Sequence, residues 1–250
     1  MTIEHLYGRR PVLEALRARR RTLHELMVAE GSSGGIIEEI ITAAEKQGVT
    51  VRAAPSGWLD DRLRGAGNHQ GVMLAASGYP YVNLEDVLAL AGQRGEPPLV
   101  LLLDLLQDVQ NIGTLLRTAE AVGVHGVVIQ ERRSARVTPA VVSASSGAVE
   151  HLRVAQVTNL VNTMGDLKEQ SDIWIAGLDQ SEGAQRFDRA NLKGAMGLVV
   201  GSEGSGLRRL VRETCDYLIY LPMRGSIASL NAATAGSIAL YELWRARDFS

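Results

Sequence analysis

The stretch LVLLLDLL at positions 99–106 decides the fold class of this chain. A short run that is apolar almost throughout is typical of a strand buried on both faces of a parallel sheet. A helical pattern follows it, and its apolar stripe ends before Gly123 and a second apolar strand at 127–129. The stripe consists of Ile112, Leu115, Leu116, Ala119 and Val122. Because strand and helix alternate, we predict an α/β domain with a mostly parallel sheet covered by helices.

The same alternation continues to the C-terminus. We place Asn111 at the N-cap of the first helix and Thr158 at the N-cap of a later one, because short polar side chains cap helices. The further predicted strands are 173–176, 196–200 and 217–221. One further helix is predicted to begin at Pro139, two more span 159–170 and 207–213, and a last helix ends at about residue 245. The pattern therefore predicts one α/β domain over this part of the chain.

The residues before this domain form a second, smaller α/β pattern. It has predicted helices from Pro11 and over 36–47, predicted strands at 24–28 and 49–53, and a final strand in GNHQGVMLAAS, where we expect His69 to be structural. A stretch richer in Gly and Pro follows, with one short amphipathic segment inside it. We therefore predict a domain over 1–76, a linker with a leading helix over 77–97, and a domain over 98–250.

Composition excludes several classes of protein. The chain has 250 residues, 46% of them apolar, and a net charge of -2, which excludes a uniformly basic nucleic-acid binder. Cys215 is the single cysteine, so the chain has no internal disulfide, and no metal site is expected. No run of 18 apolar residues exists, and the N-terminus lacks the apolar core of a signal peptide. We expect a soluble cytoplasmic protein. An Arg-rich transit peptide is less favoured because three acids interrupt the N-terminal segment.

Local clusters of arginine are the exception to the low net charge. Residues 9–21 contain six arginines but only one acid, Glu14, and two smaller groups of arginines follow later in the chain. Such clusters suit either phosphate contacts or solvated helix ends, and both readings stay open here. The arginines are Arg9, Arg10, Arg17, Arg19, Arg20 and Arg21, then Arg132, Arg133 and Arg136, then Arg208, Arg209 and Arg212.

Three loops follow the carboxyl ends of predicted strands, where open α/β sheets bind ligands. They are DLLQDVQNIG (104–113), GSEGSG (201–206) and PMRGSIASLN (222–231). The glycines of the middle loop are spaced G-x-x-G-x-G, whereas the dinucleotide fingerprint is G-x-G-x-x-G. A nucleotide-dependent dehydrogenase is therefore disfavoured.

Taken together, the three loops resemble the signature motifs of the SpoU/TrmH family of RNA ribose 2'-O-methyltransferases. The residues that carry the resemblance are QDVQNIGTLLRTAEAVGV, LVVGSEGSGL and YLPMRGSIASLNAATAGSIALYE, in this order. The segment from LYGRRPVLEAL to GNHQGV resembles the L30e-like accessory domain of RlmB-type members, which modify a guanosine of 23S ribosomal RNA. The resemblance implies a C-terminal SPOUT (α/β-knot) domain with a deep trefoil knot, a smaller L30e-like RNA-binding domain and a homodimer. It further implies S-adenosyl-L-methionine as cofactor and large-subunit ribosomal RNA as partner. It implies binding to neither DNA nor a membrane.

The resemblance also assigns roles to individual residues by motif match. Arg117 is expected to hold a phosphate bidentately and to orient the ribose hydroxyl, because a guanidinium rarely gives up its proton. The chain departs from many relatives at 108–111 and 231–234, which bears on substrate details more than on activity. The cofactor positions are Gly201, Leu221 and Leu230, and the catalytic positions are Asn111, Arg117, Glu203, Ser229 and Asn231.

Other interpretations stay open at this point. Asn111, Ser229 and Asn231 could each serve only as a helix cap. The substrate could be transfer RNA, which the accessory domain and the lack of a basic C-terminal tail disfavour. The chain could also be a non-catalytic RNA-binding or ribosome-assembly protein, which the intact motif residues argue against.

Overall fold

The computed structural model describes residues 2–249, which form two compact units. The first unit contains the chain up to Pro80 together with Val137–His151, and the second contains Tyr81–Arg136 and the chain from Leu152 onward. Across residues 2–249, no helix has both the length and the apolar character needed to span a bilayer.

The helices and strands have the following bounds. In chain order they are β1 (Ile3–Tyr7), α1 (Arg9–Ala18), β2 (Leu23–Ala29), α2 (Gly35–Glu45), β3 (Thr50–Ala54), α3 (Ser56–Leu63), β4 (Val72–Ser77), α4 (Leu84–Arg94), β5 (Leu99–Asp104), α5 (Val109–Ala121), β6 (Gly126–Gln130), α6 (Pro139–Ala144), a 3-10 helix (Ala148–His151), β7 (Val154–Val157), α7 (Leu160–Ser171), β8 (Trp174–Leu178), β9 (Gln185–Arg186), β10 (Met196–Gly201), α8 (Arg209–Thr214), β11 (Tyr217–Tyr220) and α9 (Ala232–Ala246).

The second unit is built on a seven-stranded sheet in the order β7-β6-β5-β10-β8-β11-β9. Every pair of neighbouring strands in it is parallel. All six residues of the central strand β5 are buried, because helices cover both faces of a parallel sheet. The predicted α/β class with a parallel sheet is confirmed, whereas the knot implied by the family resemblance stays a prediction.

The carboxyl edge of this sheet brings the predicted loops together. Gly201 at the end of β10 pairs with Asp104 at the end of β5. Leu102 of β5 pairs with Val128 of β6, so the end of β6 lies level with the end of β5. In a parallel sheet all strands end at the same edge, so the loops after β5, β6, β8, β10 and β11 emerge side by side.

The first unit has a four-stranded sheet in the order β1-β4-β2-β3. β2 and β3 are parallel, and β4 runs antiparallel to both β1 and β2. The sequence analysis did not predict β1 or α3. The burial of β1 does not alternate, since its first residue is exposed and its last two are buried, so no period-2 pattern marks it.

The compact units do not coincide with the predicted division 1–76, 77–97 and 98–250, which stays a sequence-based proposal. α4 lies inside the predicted linker, yet it packs on the sheet of the second unit. Val87 of this helix is buried, and a Cβ added to Gly126 would lie 2.4 Å from its side chain. The segment 137–151 belongs to the first unit, although it lies within the predicted second domain.

Two predicted caps are wrong. Asp108 caps α5, since its Oδ1 accepts a hydrogen bond from the backbone N of Asn111 at 2.8 Å. Asn159, rather than Thr158, caps α7 by accepting from Val161 and Asn162. In both cases several capping-type residues stand close together, and propensity alone does not choose among them.

The N-terminal arginine cluster is largely engaged within the first unit. Arg17 pairs with Glu14 and Glu39. The Arg21 side chain is fully buried against Glu150. The Arg20 guanidinium lies 5.3 Å from the ring centre of Tyr79. Burial rules out Arg21 as a phosphate contact in this fold.

Candidate active site at the carboxyl edge of the parallel sheet

A cavity of about 540 Å³ opens at the carboxyl edge of the sheet in the second unit. The loops after β8, β10 and β11 and the first turn of α9 line it. Its volume falls within the range of pockets that hold small molecules or cofactors. Six of the eight predicted site residues line the cavity, namely Gly201, Glu203, Leu221, Ser229, Leu230 and Asn231.

Three predicted catalytic residues, from the first turn of α5, the loop after β10 and the N-cap of α9, form one hydrogen-bonded cluster. Asn111 Nδ2 donates to Glu203 Oε1 at 2.7 Å. Asn231 Nδ2 donates to the same oxygen at 2.5 Å and to Asn111 Oδ1 at 2.8 Å. The two amides therefore hold one oxygen of the Glu203 carboxylate in a fixed position, and we name these three residues the Asn-Glu-Asn cluster.

Helix capping orients Asn231 within this cluster. Its Oδ1 accepts from the backbone N of Ala233 at 3.0 Å and of Thr234 at 3.1 Å, so Asn231 is the N-cap of α9. Because the side-chain oxygen accepts hydrogen bonds from the helix backbone, the amide nitrogen is directed towards Glu203. The predicted cap at Asn231 is confirmed, and the same side chain also contributes to the cluster.

Asn111 has a different local role. Asp108 satisfies its backbone N–H, and its side chain is buried in the first turn of α5. The Asn111 amide is therefore not needed as a cap. A buried amide must be hydrogen-bonded, and its partners here are Glu203 and Asn231.

The glycine-rich loop after β10 folds back on its own start. A Cβ at Gly201 would lie 2.3 Å from the backbone carbon of Gly206, a distance that no packed side chain can have. Gly204 and Gly206 adopt φ angles of +78° and +63°, which favour glycine. The tight return leaves Glu203 exposed at the tip of the loop, beside Asn111 and Asn231.

An ion pair between the exposed Arg208 and the buried Asp104 anchors the end of this loop. The backbone N of Arg208 donates to Asp104 Oδ2 at 2.8 Å and its Nε donates to Oδ1 at 2.6 Å. Its Nη2 donates to Gln130 at 2.8 Å. Arg212 Nε in turn lies 3.1 Å from Asp179 Oδ2. Of the two readings left open for Arg208 and Arg212, these contacts favour the one without phosphate, because both guanidinium groups hold the loop ends.

Arg117 lies apart from the cavity. It is exposed on α5 and is not one of the described residues that line the cavity. Six helical residues separate it from Asn111, which corresponds to about 9 Å along the axis and about 240° around it. Arg117 therefore projects from a different side of α5 than Asn111, and it does not line the cavity.

The loop after β8 contributes residues that the sequence analysis missed. Asp179 and Gln180 line the cavity, and Asp179 also accepts a hydrogen bond from the backbone N of Ser181 at 2.8 Å. The same strand-end rule that selected the other three loops applies to Asp179, which directly follows β8. Its signal was therefore present in the sequence.

The single cysteine lies close to the sheet but is not set up as a nucleophile. Burial, its largest influence, raises the pKa of the Cys215 thiol to about 12, so it stays protonated near neutral pH. Among residues 2–249, no group of three His, Cys, Asp or Glu side chains is placed to hold a metal ion.

Comparison with known proteins gives matches over nearly the whole chain. Residues 98–241 match the SpoU rRNA Methylase family, and residues 5–82 match a family described as RNA 2'-O ribose methyltransferase substrate binding. A Bacillus subtilis protein assigned to the TrmH family of tRNA/rRNA methyltransferases, YacO, is 42% identical over 247 residues, which cover 98% of this chain and 96% of that protein.

Solved structures show the same fold. The SpoU methyltransferase AviRb from Streptomyces viridochromogenes, in complex with AdoMet, has a TM-score of 0.80 and 24% identity, covering 99% of this chain and 92% of that chain. An AdoMet-bound rRNA methyltransferase from Sinorhizobium meliloti has a TM-score of 0.76 and 21% identity, covering 97% and 87%. On these matches and the geometry above, the chain belongs to the SpoU family of RNA methyltransferases.

Proposed function

We propose that this protein transfers a methyl group from S-adenosyl-L-methionine to a ribose 2'-hydroxyl of RNA, namely a guanosine of 23S ribosomal RNA. The observation that carries the proposal is the Asn-Glu-Asn cluster. Its members come from three separate segments of the chain, and two of them, Glu203 and Asn231, line the cavity. A carboxylate held by two amides beside a cofactor-sized cavity suits an enzyme that must position a polar substrate.

The residues of the cavity fit S-adenosyl-L-methionine. The lining includes apolar residues that suit an adenine ring, Leu178, Ile219 and Leu221, and two acidic residues, Asp179 and Glu203. Carboxylates complement the positive sulfonium and can accept hydrogen bonds from ribose. When bound, S-adenosyl-L-methionine supplies an activated methyl group.

The protein's own groups would act mainly by orientation. Glu203 is fixed by Asn111 and Asn231, and one of its oxygens remains to accept a hydrogen bond. Ser229, exposed in the lining, offers a hydroxyl to the substrate nucleotide. We assign Arg117 to the phosphate next to the target ribose. Holding the hydroxyl in line with the methyl group is worth several powers of ten in rate.

We propose ribosomal RNA rather than transfer RNA as substrate because of how far one match extends along the chain. The first unit matches a substrate-binding family of RNA ribose methyltransferases. The Sinorhizobium meliloti protein, named as an rRNA methyltransferase, covers 97% of this chain, so it spans both units. We further propose an L30e-like role for the first unit in binding RNA and a cytoplasmic site of action.

The test is transfer of labelled methyl from S-adenosyl-L-methionine to unmodified large-subunit rRNA, tRNA and DNA, followed by mapping of ribose methylation. We expect one 2'-O-methylguanosine in the large-subunit rRNA and no label in DNA, because DNA lacks the 2'-hydroxyl. Label confined to tRNA would overturn the substrate assignment but not the reaction. Tight RNA binding without transfer to any RNA would instead support the non-catalytic alternative.

We also propose that the protein is a homodimer that pairs through α9. Its small residues serve packing within the chain, since a Cβ at Gly236 would lie 2.6 Å from Leu115 of α5. The outer face of α9 carries two neighbouring apolar side chains, Ile238 and Tyr241, which are 40% and 49% exposed. Exposed apolar side chains on one helix face are typical of an interface between subunits.

Changing Ile238→Lys together with Tyr241→Lys is therefore expected to convert the dimer to a monomer. Sedimentation equilibrium of the wild type and the variant measures the effect. Ile3→Lys is the matched control, because Ile3 is 54% exposed in the first unit and should leave the dimer intact. A wild-type protein that sediments as a monomer at micromolar concentration would refute the proposal.

A further inference from the structure

We propose that Arg132, Arg133 and Arg136 bind backbone phosphates of the RNA on either side of the target nucleotide. They belong to residues 131–136, which we name the arginine loop. The inference rests on the proposed function, because it places the RNA backbone beside the same site. It also separates these three arginines from the others that the sequence offered.

The arginine loop emerges at the edge of the sheet that holds the site. β6 ends at Gln130, level with the end of β5. Gln130 also accepts a hydrogen bond from Arg208, which directly follows the glycine-rich loop. The arginine loop therefore begins beside the elements that position Glu203.

Hydrogen bonds tie the arginine loop to the segment that leads into α5. The backbone N of Ala135 donates to the carbonyl oxygen of Leu106 at 3.2 Å, and Ser134 Oγ donates to the same oxygen at 3.4 Å. Gln107 Nε2 donates to the carbonyl oxygen of Arg133 at 3.1 Å. Asn111 of the Asn-Glu-Asn cluster follows this segment. The three guanidinium groups are thus carried by a loop fixed next to the cluster.

The charge of the arginine loop is not compensated. Arg132, Arg133 and Arg136 are exposed, and none forms an ion pair or a side-chain hydrogen bond with a residue in 2–249. Glu131 is the one acid in the loop. By contrast, the three arginines around α8 are each paired with a carboxylate: Arg208 with Asp104, Arg209 with Glu213 and Arg212 with Asp179.

This difference decides which arginines suit a phosphate. An arginine that already holds a carboxylate must give up that pair before it can bind RNA, whereas an exposed, unpaired one gives up only water. A guanidinium also matches two phosphate oxygens with two parallel N–H donors. Phosphate contacts fix the register of a nucleic acid without reading its sequence. Three such contacts beside the cluster would hold the strand while the target ribose lies over the cavity.

The test compares two charge-matched double variants. Arg132→Ala/Arg133→Ala removes two positive charges at the carboxyl edge. The control, Arg94→Ala/Lys193→Ala, removes two exposed charges that lie within five residues before β5 and β10, at the opposite edge. For each, the dissociation constant for rRNA is measured by filter binding from 50 to 200 mM salt, and methyl transfer is measured against RNA concentration.

For the arginine-loop variant we expect KM for RNA to rise about tenfold or more and the slope of log affinity against log salt to fall by about 1–2. Adding Arg136→Ala should raise KM for RNA further and lower the salt slope further. The kcat at saturating RNA and the affinity for S-adenosyl-L-methionine, measured by calorimetry, should not change, and the control should match the wild type.

An unchanged KM and salt slope in an active enzyme would overturn this inference alone. A lower kcat with an unchanged salt slope would also overturn it, since the loop would then act on the cluster and not on phosphate. Absence of methyl transfer by the wild-type protein would refute the proposed function, while the salt slopes would still test the phosphate contacts.

Discussion

Replacing Arg117 with alanine is expected to lower the rate of methyl transfer by about 10²–10³-fold while cofactor affinity stays unchanged. The magnitude follows from the loss of one charged donor that orients the reacting group. The cofactor should be unaffected because Arg117 is exposed on α5 and lies outside the lining of the cavity. The hydrogen bonds of the Asn-Glu-Asn cluster join its three members to one another, so the site should stay assembled without Arg117.

Single-turnover transfer with saturating RNA measures the rate, and calorimetry measures the affinity for S-adenosyl-L-methionine. Arg209→Ala is the matched control, since Arg209 is 76% exposed and forms a surface pair with Glu213. Arg117→Lys keeps the charge but loses the two parallel donors, and its rate should lie between those of Arg117→Ala and wild type. A rate for Arg117→Ala within threefold of wild type would refute the assigned role.

The sequence predicted the parts of the fold that depend on local pattern. β5 was recognisable because a strand buried on both faces carries a continuous apolar run, and the helix after it because its stripe has a period of 3.6. The strand-end rule then selected three of the four segments that form the cavity and the Asn-Glu-Asn cluster, those after β5, β10 and β11 but not the one after β8. Their convergence on Glu203 follows from the parallel sheet, which places Gly201 beside Asp104.

Features that depend on distant partners could not be predicted in this way. The N-terminal arginines read as one basic cluster, yet Arg21 is buried because Glu150, 129 positions later, neutralises it. No sequence pattern near Arg21 predicts that partner. Likewise the capping residues of α5 and α7 were assigned one to three positions away, since neighbouring polar residues have similar capping preferences. Arg208 likewise pairs with Asp104, which lies 104 positions earlier in the chain, so its sequence neighbours do not indicate the ion pair.

Replacing Glu150 with alanine is expected to destabilise the first unit by about 3–5 kcal/mol, because it leaves a buried guanidinium without its main counter-charge. Arg21 donates to the Glu150 carboxylate three times, at 2.8 to 3.1 Å. The two side chains are 0% and 1% exposed, so water cannot take the place of the lost carboxylate. Glu4, at 2.8 Å from Arg21 and 22% exposed, compensates only in part.

Urea unfolding of the full chain, followed by hydrogen exchange of β2 and β4, measures the loss in the first unit separately from the second. Glu213→Ala, which breaks the exposed pair with Arg209, should cost less than about 1 kcal/mol and serves as control. The double change Arg21→Met/Glu150→Leu removes both charges and should recover most of the stability, because an apolar pair can replace a buried ion pair. A loss below about 1 kcal/mol in Glu150→Ala would contradict this account. With the loss established, weaker RNA binding in an Arg21 variant would reflect unfolding of the first unit and not a missing phosphate contact.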